Sequence, residues 1–308
     1  MNPRDLPLWR RAPERGSLTL MRTLAAFARL FGRRAAGAWL MPICAYFVVC
    51  SPRARRASRD YQARVRGAAG VGDVFRHFRA FATTLLDRVF WRTEGLDRYA
   101  IGLDGVDAVL GALGEGRGAL LLGAHFGSFE LAQVVARAHP SIVVDVLMHP
   151  DNAQKFGAVM RGIDAELDRR VIVLGQPDTM LRVRDALATG HLVGLLADRS
   201  LRDDDLVREE FLGAPAAFPR GPFKLAAALG VPVLYFYAVW RGGRRYAVRF
   251  ERAGAVARDV DGAVRDYARW LASACRGAPD NWFNFFDFWQ DGEPTLPCTS
   301  QSASEVDA

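Results

Sequence analysis

The stretch LLGAHFGSFELA, residues 121–132, sets His125 at the end of an apolar run with Glu130 five positions later. Imidazole titrates closest to neutrality of the ordinary side chains. A carboxylate on one ring nitrogen fixes the tautomer and stabilises the imidazolium, which leaves the other nitrogen free to take a proton. Gly123, Ala124, Gly127 and Ser128 keep the turn narrow, so another molecule can approach its backbone. The spacing by itself is weak evidence. With 34 acidic residues and five histidines in 308 positions, such a pair arises by chance in roughly two sequences of five. Only His125 has it, since the residues five on from His77, His139, His149 and His191 are Ala82, Val144, Gln154 and Leu196. Ser128 is adjacent but sits in no G-x-S-x-G elbow, which disfavours a serine hydrolase. A base and an orienter without a nucleophile of their own fit direct transfer to a hydroxyl or amine supplied by a substrate. The bland alternative is a turn histidine beside a cap-like glutamate.

The surrounding elements favour a site. From residue 118, short β-rich apolar runs at 119–125, 142–149, 171–175, 192–198 and 231–240 alternate with helical segments. That grammar predicts an α/β fold, a largely parallel sheet flanked by helices. YAVRFE at 246–251 should pair antiparallel with the run before it, and 262–276 should form a final helix. Ligand sites of open α/β sheets lie at the carboxyl ends of strands, where His125, His149 and Asp198 all fall. Upstream, residues 72–93 carry Val74, Phe75, Phe78, Phe81, Leu85 and Val89 on one helical stripe, a packing face with His77 expected at its surface or boundary. The acidic group at 202–210 reads as a solvated loop. NWFNFFDFW at 281–289 reads as C-terminal packing, an interfacial belt or a channel wall.

Charge divides the chain. All basic residues except Lys155 and Lys224 are arginines, and they crowd residues 1–66 against only Asp5, Glu14 and Asp60, while the remainder is net acidic. The uncharged run AAGAWLMPICAYFVVC, 35–50, interrupts the basic region, and no zinc-finger or RNA-binding signature accompanies it, which disfavours nucleic acid. As a helix the run spans about 24 Å, short of a ~30 Å hydrocarbon core. Arg33, Arg34, Arg53, Arg55 and Arg56 flank it and suit an anionic membrane surface. A buried core helix is the alternative. The division expected is a basic N-terminal region at 1–66 with its anchor at 35–50, a catalytic domain at 67–290 and a polar tail at 291–308. Cys44, Cys50, Cys275 and Cys298 show no metal-ligand spacing and suit free thiols.

Several blocks together are similar to the lysophospholipid acyltransferase superfamily, in its bacterial lipid A biosynthesis branch. GAHFGSFELA resembles the H-x4-D/E block, and WRRAPERGS with the apolar run resembles the N-terminal anchor region. LMHPDNAQKF at 147–156 resembles the second block, with His149 where an arginine is usual and Asn152 in the turn that follows. LLADRS at 195–200 resembles the D-Q block, with Arg199 after Asp198 in place of glutamine. FLGAPAAFPRGPFKLAAALGVPVL at 211–234 resembles the FFG-x-PA segment and its helix. The resemblance implies a glycerolipid acyltransferase-like fold and transfer of a fatty or related polyene acyl group. The donor would be an acyl carrier protein or acyl-coenzyme A thioester, and the acceptor a hydroxyl of a membrane lipid. His125 would be the general base and Glu130 its partner, at the cytoplasmic face of the inner membrane, with no metal or redox cofactor. Gly127, Ser128, His149, Asn152, Asp198, Arg199, Arg220 and Lys224 are the expected substrate contacts, and the oxyanion that acyl transfer forms would take its donors from backbone N–H groups of the Gly127–Ser128 turn or from a nearby cation. A thioesterase, with water replacing the acceptor, and a non-catalytic membrane scaffold are the other functions these residues allow.

Overall fold

The computed structural model describes residues 18–136, 139, 141–150, 169–199, 205–254, 256 and 259–289, with the side chains of 18–29, Arg92 and Thr93 left aside. Helices α1 (Leu18–Cys50), α2 (Pro52–Arg66) and α3 (Val71–Thr93) come first. Strands β1 (Ala100–Asp104), β2 (Ala119–Gly123), β3 (Val144–Met148), β4 (Val171–Val173) and β5 (Leu192–Leu196) follow, with α4 (Val106–Leu113), α5 (Leu131–Ala136) and α6 (Thr179–Ala188) between them. The hairpin β6 (Leu206–Phe211) and β7 (Ala214–Pro219), helix α7 (Gly221–Leu229), strands β8 (Val233–Trp240) and β9 (Arg245–Arg252), and helix α8 (Val260–Gly277) complete the order.

Seven strands form one sheet in the order β1-β9-β8-β2-β5-β3-β4. β8, β2, β5, β3 and β4 are mutually parallel, and β9 joins β8 antiparallel through the expected hairpin. β2 is central, and all five of its residues are buried, as a strand covered by helices on both faces requires. Its side chains alternate between two cores. Leu120 and Leu122 join α7, α8 and the β6–β7 hairpin, whereas Ala119 and Leu121 join the layer of α3, α4 and α5. The mixed α/β architecture is therefore the one expected.

Two local expectations are corrected, and one strand is found that the sequence did not announce. Residues 206–210 of the acidic group are a strand, β6, packed on α8, because Phe211 buries its ring against Phe218, Trp282 and Phe288; residues 202–204 lie outside those described. β1 is an edge strand whose mostly exposed residues give no apolar alternation to read. His77, expected at the boundary, is fully buried between α2 and the 281–289 stretch.

The N-terminal helix is bent at Gly32, whose φ of 77° and ψ of 169° break the helical path. Beyond the bend one face of α1 packs on α3 through Ala36, Leu40, Cys44 and Val48. Arg33 ion-pairs with Asp87, a buried carboxylate that also accepts from Tyr99 Oη (3.0 Å) and Tyr246 Oη (2.8 Å). The opposite face exposes Trp39, Tyr46 and Val49, and Phe31 is exposed just before the bend. Among the described residues no single helix is long and apolar enough to cross a membrane. Leu30–Cys50 and Pro52–Arg66 meet that test only as a pair bent by 97°. Tyr61 of α2 lies fully buried in the main core, so packing runs unbroken across the boundary expected near residue 66. The tail expected at 291–308 lies outside the described residues.

Candidate active site

β2 and β5 are parallel neighbours in register, Gly123 opposite Leu196, so the residues that follow them meet at one sheet edge. His125 follows β2 and Asp198 follows β5. The His125 ring Nδ1 lies 2.9 Å from Asp198 Oδ1, and the His125 backbone N–H donates to Asp198 Oδ2 at 3.1 Å. Trp282 Nε1 donates to the same oxygen at 3.1 Å. Asp198 is fully buried. Burial alone would push its carboxyl up, but His125 and then Arg199 outweigh that and hold it well below the usual carboxylate range. An ionised Asp198 can only accept, so Nδ1 carries the hydrogen and Nε2 the lone pair.

No described residue hydrogen-bonds Nε2, and 32% of the His125 side chain is accessible. Burial lowers the imidazole pKa first and the Arg199 cation lowers it further, against the opposing pull of Asp198 and Glu130. The ring is therefore neutral at physiological pH. Its protonated form would be stabilised by a fixed carboxylate. This is the state a general base needs.

The turn carrying His125 is fixed on two sides. Gly127 N–H donates to Asn281 O (2.7 Å), Phe283 N–H to His125 O (2.7 Å) and Ser128 N–H to Ala238 O (2.9 Å), so the loop is zipped between the 281–283 segment and β8. Gly127 has φ 74°, and a Cβ there would stand 1.8 Å from Ala238 O, a place only glycine can fill. Phe129 lays its ring over Gly123 and Gly194, where added Cβ atoms would stand 2.6 and 2.5 Å from it. Those two strand glycines make the seat that holds the turn down on the sheet.

This geometry departs from one expectation and narrows one choice. Glu130, the expected partner of His125, sits just ahead of α5 and ion-pairs with Arg88 of α3 at 2.8 Å while accepting from Ser128 Oγ at 3.0 Å. The carboxylate hydrogen-bonded to the imidazole is Asp198, because β2 and β5 end side by side while Glu130 is drawn toward α3. The N–H groups of Gly127 and Ser128, one of the two donor sources open to an oxyanion, are already bonded to backbone carbonyls.

Arg199 is brought to the site. Its Nε is 3.8 Å from Asp198 Oδ2, its Nη2 donates to Phe283 O (2.8 Å), and its guanidinium stands 4.9 Å from the Phe286 ring centroid. His149 follows β3, which borders β5, and so stands at the same sheet edge. Asn152 lies outside the described residues. Arg220 and Lys224 are joined to other partners. Arg220 ion-pairs with Asp261 of α8 through Nε (2.6 Å) and Nη2 (3.0 Å) and donates from Nη1 to Leu206 O (2.5 Å); Lys224 reaches Asp205 (2.8 Å). These contacts tie the β6–β7 hairpin and α7 to α8.

Residues the sequence did not single out complete the arrangement. Trp282 supports Asp198, and Arg88 holds Glu130. The 281–289 stretch is packing, as one reading of it held, with Trp282 fully buried and Phe283 and Phe288 nearly so. The signal for Trp282 was only its place in that aromatic run. Among the described residues no cluster of histidine, cysteine and acidic side chains could hold a metal.

Nothing among curated proteins matches this chain. The family model for bacterial lipid A biosynthesis acyltransferases matches residues 71–291, from the start of α3 past the aromatic stretch and including every element that builds the His125 site. The chain belongs to the bacterial lipid A biosynthesis acyltransferase family.

Proposed function

We propose that the protein transfers an acyl group from a thioester, on acyl carrier protein or coenzyme A, to a hydroxyl of a membrane lipid. The observation that carries this reading is the His125–Asp198 pair at 2.9 Å with Nε2 open at the sheet edge. In the reading, Nε2 takes the proton of the acceptor hydroxyl as its oxygen attacks the thioester carbon. Asp198 stabilises the imidazolium that results, and the proton then passes to the departing thiolate. Glu130 is a second, more distant carboxylate whose charge also favours the imidazolium. His149, directly after β3 at the same sheet edge, is assigned to the acceptor on this reading. Activity in the family is acyl transfer in lipid biosynthesis, which supports a lipid acceptor.

The exposed face of α1 supports membrane seating. Trp39 and Tyr46 are amphipathic rings of the kind enriched at headgroup depth, and Arg34, Arg53 and Arg56 stand exposed around them. The helix lies in the interface on this reading, at the cytoplasmic face of the inner membrane. Replacing both Trp39→Ser and Tyr46→Ser is expected to cut sedimentation with anionic vesicles at least several-fold, and undiminished sedimentation would refute the seating.

The function itself is tested by incubating the full chain with dodecanoyl-acyl carrier protein and a bacterial envelope lipid extract, then weighing the lipids. A gain of one acyl chain is expected, absent with His125→Ala. Release of dodecanoic acid with no lipid gain would mean a thioesterase instead.

A further inference from the structure

We infer that Arg199 is the oxyanion-holding residue of the reaction, its guanidinium set beside the His125–Asp198 pair to receive the negative charge of the tetrahedral intermediate; this rests on the acyl-transfer reading above. Acyl transfer places a full charge on the former carbonyl oxygen, and that charge needs donors already in position. The backbone of the catalytic turn is poorly able to supply them. The N–H groups of His125, Gly127 and Ser128 donate to Asp198 Oδ2, Asn281 O and Ala238 O. Arg199 is differently placed. Its Nη2 is anchored on Phe283 O, the residue whose own N–H donates to His125 O, so one short segment holds cation and base together. The Phe286 face fixes the guanidinium on another side. Its Nε is buried without a hydrogen-bond partner, and the nearest carboxylate, Asp198, is 3.8 Å away and already accepts three hydrogen bonds. Only 14% of the Arg199 side chain is accessible. A cation held out of water with unfilled donors gains most when an anion forms next to it.

The charges balance through the step. At rest Asp198 is negative, Arg199 positive and His125 neutral. When the acceptor oxygen bonds to the thioester carbon, its proton moves to Nε2 and the carbonyl π pair moves onto oxygen. His125 gains one positive charge and the oxyanion one negative. Collapse reforms the carbonyl, breaks the C–S bond, and returns the proton from Nε2 to the thiolate. Arg199 acts twice in this scheme. It keeps the resting imidazole neutral, since its cation lowers the His125 pKa, and it meets the charge that forms next.

The groups bearing on His125 are Asp198 and Arg199 at the end of β5 and Glu130 in the turn, with Arg88 of α3 behind it; Tyr267 of α8 bonds Gly123 O at 2.7 Å and bears on Asp198. Among the described residues, Arg199 is the cation that ion-pairs with Asp198, and its removal takes that charge from the pair. The test is full-length Arg199→Met and Arg199→Lys in mixed micelles of a bacterial envelope lipid extract, with dodecanoyl-coenzyme A as donor and thiol release as readout. Arg199→Met is expected to lower kcat by about 10²–10³-fold with KM changed only a few-fold. The acid limb of its kcat/KM profile should move to higher pH, because the imidazole no longer faces a cation. Arg199→Lys should return that limb toward its wild-type position while recovering only part of kcat. An NMR titration of His125 in both variants, without substrate, should show the same ordering, and this readout stands even if one variant turns over too slowly to assay. A rise in KM with unchanged kcat would make Arg199 a binding cation and overturn the inference. So would an unmoved His125 titration, or wild-type kcat in Arg199→Met while His125→Ala is inactive. If His125→Ala matches wild type, the underlying acyl-transfer reading itself fails.

Discussion

Two histidines are held through the same tryptophan, and they differ in one respect that matters. His77 on α3 meets the backbone carbonyl of Trp282 with Nε2 (2.7 Å) and Ser58 Oγ with Nδ1 (2.9 Å), and no part of it reaches solvent. His125 is tied to the indole N–H of the same residue through Asp198, and its second nitrogen is open. Both rings are neutral at physiological pH. Burial lowers His77 to about 4, and burial with Arg199 lowers His125. Being neutral and buried does not make a base. An open nitrogen backed by an ionised carboxylate does, and only His125 has both.

That contrast can be broken at its strongest point first. His125→Ala is expected to cost about 10³–10⁴-fold in transfer rate with thermal unfolding close to wild type, whereas His77→Phe should keep the chemistry of correctly folded protein and lose stability, since it leaves Ser58 Oγ without its partner and takes one of two hydrogen bonds from Trp282 O, which keeps that of Asn284 N–H. The reverse pattern in paired kinetics and melting curves would exchange the two roles. The next contrast is pH. His77 is buried without charge, so its folded pKa of about 4 lies below the unfolded value of 6.5, and the unfolded chain binds the extra proton. Its effect on stability is nil above pH 6.5, grows as pH falls from 6.5 to 4, and is constant below. The full effect is about 3 kcal/mol. Denaturant unfolding at pH 7 and pH 4 should lose about that much more in wild type than in His77→Phe, and equal losses would contradict the assignment. The smallest change expected is at Trp282→Phe. It removes one donor from Asp198 but leaves Nδ1 and the backbone N–H in place, so a drop near tenfold in kcat is expected. A loss as large as that of His125→Ala would mean that the indole does more than steady the carboxylate.

Much of the scaffold was legible because buried parallel strands read as short continuous apolar runs. β2, β4, β5 and β8 do, and β3 does but for Asp145. β1 and β6 were not legible, being exposed or charged on one side. His125 stood out by its turn and its strand-end position. Asp198 was visible by its strand-end position and by the block resembling D-Q, but not as the partner of His125, because a partnership with a residue 73 positions away depends on β2 and β5 being neighbours, and local sequence does not encode strand order. Glu130 looked like the partner because it is near in sequence, yet Arg88 on another helix draws it away. Trp282 was hidden among similar aromatics whose individual roles only packing separates. Arg220 and Lys224 looked like ligand-binding cations, but Asp261 and Asp205 meet them at 2.6 and 2.8 Å.

The central claim is that the imidazole draws its basicity from the buried carboxylate at the tip of β5. Single-turnover acyl transfer by Asp198→Asn, measured beside Glu130→Gln, tests it most directly. Loss of Asp198 should slow the step by roughly 10³-fold or more, well beyond the effect of Glu130→Gln. Wild-type speed in Asp198→Asn, with Glu130→Gln inactive, would contradict it.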